Sequence, residues 1–123
     1  MNISTLTQDG QMIATVQSDE PLFTDVGSAL DLLATVKYET DADAMVLPKS
    51  AIPEAFFELR TCLAGEVLQK FINYKMKLAI VGDFSGYDSK SLRDFIRESN
   101  RGKDIFFVGT QEEAAQKLAA AMA

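Results

Sequence analysis

Apolar residues recur along this chain at two spacings, and the change from one to the other predicts its elements. Residues 3–8 and 11–17 read as strands flanking Asp9-Gly10. Both residues of that pair tolerate positive φ, as a two-residue type I′ turn requires, so a hairpin opens the chain. Val26, Ala29, Leu30, Leu33 and Val36 follow at helical spacing, with Thr24 as N-cap and Asp25 complementing the dipole. The polar stretch from Glu39 to Asp43 leads into Ala44-Met45-Val46-Leu47, a buried strand ending at Pro48. From Glu54 to Tyr74 the spacing is helical again, with Phe57, Ala64, Val67, Leu68 and Phe71 on one face and Ser50 and Pro53 marking the entry. Lys77 to Gly82 is the clearest strand, and Asp83 to Tyr87 is a loop. Ser89 or Asp88 caps a helix running to Ser99 that buries Leu92, Phe95 and Ile96, and Gly102 stands where a left-handed residue is favoured. Asp104 to Gly109 is the last strand. Thr110 with Glu113 forms a capping box that opens an alanine-rich helix with Ala114, Leu118 and Met122 inward.

The order ββαβαβαβα predicts an α/β fold in a single domain over residues 1–123. Its mostly parallel five-stranded sheet is joined by right-handed crossovers, and the N-terminal hairpin supplies the one antiparallel pair. Leu78 and Ile80 alternate with Ala79 and Val81, and Ile105 and Phe107 with Phe106 and Val108, so both sheet faces read apolar. Either helices lie on both sides or a partner covers the second face, and a homodimer is the economical partner.

Composition narrows the chemistry. Apolar residues make up 47 % and charged residues 24 %, close to the globular average. The net charge of −6 repels phosphate backbones and anionic lipid, so neither nucleic acid nor membrane is an expected partner. Cys62 is the single cysteine, so no internal disulfide forms and a reducing compartment is expected. No apolar run approaches the ~20 residues that span a bilayer, and the N-terminus has no signal-peptide pattern. Cytoplasmic residence is the expectation. The sequence has no histidine, which removes the commonest general base and metal ligand. No metal and no cofactor are expected, and neither GxxxxGK[ST] nor GxGxxG occurs.

Two long strings carry a resemblance. Phe56-Phe57-Glu58-Leu59-Arg60-Thr61 with Ala64 to Phe71, and Lys77 to Phe84 followed by Ser89 to Ile96 and Glu98-Ser99-Asn100, resemble the family named domain of unknown function 4180. The resemblance covers nearly the whole chain and implies a bacterial protein without an assigned activity. The element order also looks like the STAS fold of sulphate transporters and anti-sigma-factor antagonists. Those domains dock partner proteins, and several are switched by phosphorylation of a serine opening the second main helix. That likeness places Thr61 near the phosphorylated position, although Arg60 stands where the family has an acidic residue.

Parallel sheets present useful loops at the carboxyl ends of their strands. Here those loops hold Lys49 and Ser50, then Asp83 to Tyr87, then Gly109 and Thr110. In the middle loop Asp83 and Ser85 offer polar contacts, Gly86 allows close backbone approach and Tyr87 offers a stacking ring. The same residues equally serve as turn makers. Ser89, Lys90, Ser91 and Arg93 open a helix, where free N–H groups attract anions, yet one serine can simply cap it. Cys62 falls early in the long helix beside the core face and reads as packing. Asp41 with Asp43, and Glu112 with Glu113, read as solvated or dipole-stabilising acids. Arg93, Arg97 and Arg101 form a basic stripe that interleaved Asp94 and Glu98 can neutralise. The leading expectation is a non-enzymatic protein-binding or regulatory module. The alternative is a small-molecule or anion sensor, or small enzyme, using the Asp83–Tyr87 loop.

Overall fold

Asp9 and Gly10 take φ of 53° and 80°, the paired positive values of the type I′ turn, and they join two strands in unbroken antiparallel register from Asn2↔Gln17 to Gln8↔Gln11. The computed structural model describes all 123 residues. Its elements are β1 (Asn2–Gln8), β2 (Gln11–Gln17), α1 (Val26–Thr40), β3 (Ala44–Pro48), α2 (Leu63–Asn73), β4 (Lys77–Val81), α3 (Lys90–Arg101), β5 (Ile105–Val108) and α4 (Gln111–Met122). The sheet order is β1-β2-β3-β4-β5, parallel at every pair after the first. The chain is therefore an α/β domain with the expected hairpin and crossovers.

That order settles where the helices go. Each right-handed crossover steps one strand in the same direction, so α1, α2 and α3 all fall on one face. Ala29, Leu33 and Val36 of α1, Val67 and Phe71 of α2 and Leu92 of α3 pack there on Met45, Leu47, Leu78, Ile80, Ile105 and Phe107. α4 instead folds back across the opposite face. There its Ala114, Ala115, Leu118 and Ala119 cover Ile13, Ala44, Val46, Ala79, Phe106 and Val108. The second face is thus covered from within the chain, and the bare face that motivated a homodimer does not exist.

Several local expectations need correction. The cap of α1 is Asp25, not Thr24. The Asp25 Oδ1 accepts from the Ser28 N–H at 2.8 Å, and the Asp25 N–H donates to the Ser28 hydroxyl at 3.1 Å. The continuous helix expected from Glu54 to Tyr74 instead begins as two short 3₁₀ turns, Glu54–Phe57 and Leu59–Thr61, followed by α2, and a further 3₁₀ turn at Lys49–Ala51 forms the entry. Phe56 and Phe57 are both buried, meeting edge-on with ring centroids 5.1 Å apart. Cys62, at φ 64°, then reverses the chain into α2, and it is exposed rather than set in the core. Gly102 ends α3 at φ −84°, outside the left-handed region.

The two sheet edges differ. Along β5 the Asn100 side chain imitates a neighbouring strand: its Oδ1 accepts from the Phe107 N–H at 2.7 Å and its Nδ2 donates to the Phe107 carbonyl at 3.2 Å. No such side chain brackets β1.

Candidate functional site

The carboxyl edge of the parallel sheet gathers the loops that the sequence singles out. Immediately after β4, Gly82 lies against Lys49, which follows β3. A Cβ at Gly82 would stand 2.6 Å from the Lys49 Cβ, so only glycine lets the two connections pass this closely. Gly86, by contrast, faces open space and does not serve a close approach.

Lys49 sits in an aromatic cage. Its Nζ lies 4.7 Å from the centroid of Tyr87, 5.6 Å from Phe57 and 6.0 Å from Phe84, within cation–π range of all three. The Tyr87 ring stacks on Phe57 at 5.2 Å and 24°, and Phe84 meets Phe107 edge-on at 5.4 Å. The aromatic residues of the Asp83–Tyr87 loop are therefore turned toward the core and roof it. Burial pushes the Tyr87 phenol above its ordinary pKa, and its buried hydroxyl has no hydrogen-bond partner. Asp83 points the other way. Its Oδ1 accepts from the Ser85 hydroxyl at 2.6 Å and the Ser85 N–H at 2.9 Å. These bonds hold the carboxyl below its usual range and tie it into the turn.

A shallow cleft of about 280 Å³ opens beside this roof, between the ends of β2, β3 and β4 and the start of α4. Val16, Val46, Pro48 and Val81 form its floor, and Gln17, Ser18, Asp19, Ser50 and Gln111 supply polar groups. Ser50 already donates to the Ser18 carbonyl at 2.5 Å. The exits of β2, β3 and β4 lead to helices on one face and the exit of β5 to the other, and Gln111 at the start of α4 borders the cleft.

The remaining candidate residues are distributed around the fold. Ser89 caps α3 by accepting from the Leu92 N–H at 3.2 Å. Ser91 and Arg93 are exposed on the first turn of α3, and Lys90 pairs with Asp94 at 2.7 Å. Arg97 and Arg101 pair with Asp94 and Glu98 on their own helix, while Arg93 has no ion-pair partner. Thr110 caps α4 by accepting from the Glu113 N–H at 3.1 Å, and the Glu113 carboxylate reaches back to the Gly109 N–H at 3.2 Å. The Thr61 hydroxyl is fully engaged in its own turn. It donates toward the carbonyls of Ala55 and Glu58, each at 2.8 Å, and accepts from the Leu63 N–H at 3.3 Å. No cluster of three acidic or thiol side chains gathers to hold a metal, and no helix is long and apolar enough to cross a membrane.

A second surface was not singled out by the sequence. Tyr38, at the end of α1, is 90 % exposed, and Tyr74, just past α2, is 64 % exposed. They border a shallow groove of about 480 Å³ floored by Leu30, Leu33 and Ala34. The signal for Tyr38 was its place off the buried stripe of α1, where a tyrosine has no packing reason to stand.

No curated protein and no solved structure matches this chain. The family model described as Domain of unknown function (DUF4180) matches residues 8–118, and the chain belongs to that family.

Proposed function

We propose that the chain is a non-enzymatic, cytoplasmic protein-binding module that engages its partner through the groove along α1 that Tyr74 borders. The observation that carries this reading is the pair Tyr38 and Tyr74, held in water on either side of an apolar floor. Tyrosine offers a large contact area at little entropic cost, and truncating such an anchor commonly costs about 2 kcal/mol or more of binding. Leu30 and Ala34 supply the apolar centre, while Asp31 and Lys37 form a charged rim. The absence of histidine and the engagement of Asp83 by Ser85 favour binding over proton-transfer chemistry.

The STAS-like reading rests on the element order and on three crossover helices sharing one face. The chain departs from that arrangement in α4, which lies on the other face. Regulation through Thr61 would have to break its three backbone contacts.

The test is affinity capture from the encoding organism with the wild type and the Tyr38→Ala/Tyr74→Ala double variant side by side. The reading expects at least one protein retained by the wild type and lost by a variant of unchanged thermal stability. Identical retained sets would overturn it. The cleft at the carboxyl edge supports a second reading, in which Asp19, Ser50 and Gln111 hold a small polar ligand. Metabolites released on denaturing protein purified from its own organism would favour it.

A further inference from the structure

We propose that two copies of this chain join antiparallel through β1, continuing the sheet across a two-fold axis at Thr5. The proposal is independent of the tyrosine groove. It rests on the contrast between the two sheet edges. The β5 edge is bracketed by Asn100, whereas β1 is an outer strand of seven residues whose outward backbone groups have no partner in the chain. The devices that usually blunt such an edge are absent: Asn2-Ile3-Ser4-Thr5-Leu6-Thr7-Gln8 has no charge, no proline and unbroken register.

The register suits a second copy. In a two-residue type I′ hairpin the residues flanking the turn are a hydrogen-bonded pair, so Gln8, Leu6, Ser4 and Asn2 turn their N–H and C=O toward β2. Ile3, Thr5 and Thr7 consequently turn theirs outward. An antiparallel copy centred on Thr5 sets Thr5 against Thr5 and Ile3 against Thr7, matching outward residues with outward residues. Each such pair exchanges two bonds, about six along the seam. The side chains also match: threonine faces threonine across the axis, a favourable cross-strand pair.

Charge sets a condition that this register meets. At net charge −6 two copies repel, and the seam must keep carboxylates apart. Asp9, the nearest acid along the strand, falls at opposite ends in the two copies. The separation is roughly 27 Å, from about eight residues at ~3.4 Å each, well beyond a Debye length of ~8 Å at physiological salt.

Amide hydrogen exchange on the unmodified protein reads the seam directly. Ser4, Leu6 and Gln8 should be protected at every concentration, whereas Ile3, Thr5 and Thr7 should gain protection as concentration rises and light scattering reports twice the chain mass. Thr5→Lys and Thr5→Glu each place like charges on the axis and should raise the dissociation constant by roughly tenfold or more. An equimolar mixture of the two should recover the dimer. A monomer at millimolar concentration, rapid exchange of Ile3, Thr5 and Thr7 at every concentration, or a dimer indifferent to both variants would overturn the proposal.

Discussion

Single side chains decide how this chain turns its corners. The left-handed residues Asp9, Asp41, Cys62 and Lys75 each stand at a reversal next to a strand or helix end. Gly82 is the different case, a glycine required by its neighbour rather than by its φ, since Lys49 occupies the space a Cβ would take. Asp25 shows what one carboxylate does at a helix start. The backbone N–H of Ser28 and then its hydroxyl hold the acid below its ordinary value of 3.8. A depressed folded pKa means that the carboxylate stabilises the fold above the unfolded value. That contribution is lost as pH falls through the folded one. Asp25→Ala should therefore lower the urea midpoint at pH 7, and its deficit against wild type should shrink as pH drops below 3.8. Asp25→Asn keeps a capping oxygen and should fall between the two at pH 7. A deficit that stays constant down to acid pH would contradict this account.

Elements inherit their legibility from how locally they are determined. The hairpin, α1 and all three crossover strands were readable because short-range patterns fix them: paired positive-φ formers, a 3.6-residue stripe, and apolar runs bounded by turns. The stretch from Glu54 to Cys62 was not, because its apolar positions imitate a helix while Phe56 and Phe57 are both drawn into the core by tertiary packing. The Asp83–Tyr87 loop follows β4, and its aromatic residues pack inward. Nothing in Asp83 to Tyr87 announces that Phe84 and Tyr87 fold inward around Lys49, a residue 38 or fewer positions away. Asn100 was invisible for the same reason, since its value lies in the strand that it borders. Replacing it by alanine leaves the N–H and C=O of Phe107 without their partner. At a residue buried this deeply the loss should cost about 1–3 kcal/mol in urea unfolding. Asn100→Ala should also aggregate faster than wild type, because it opens the second edge. An unchanged midpoint would show that water replaces the amide freely.

At the scale of the whole molecule, one helix decides whether the sheet is a two-layer or a three-layer structure. Sequential right-handed crossovers commit three helices to one face, and α4 covers the other. Its alanines allow close approach, but they bring little apolar area each, so Leu118 is the one large side chain of α4 that is fully buried. It meets a face built from five strands. Leu118→Ala should therefore cost about 2–5 kcal/mol, a large share of the 5–15 kcal/mol typical of a whole domain. The loss should not be uniform. With α4 loosened, the amides of Ala115 to Met122 should exchange before those of β3 and β4, whose other face remains packed by α1 and α2. The uncovered Val46, Ala79 and Phe106 should then bind an apolar dye that wild type excludes. A variant that loses less than about 1 kcal/mol, or that unfolds with all its amides exchanging together, would mean that α4 is not an independent cover. The second face would then owe its stability to the same cooperative unit as the first.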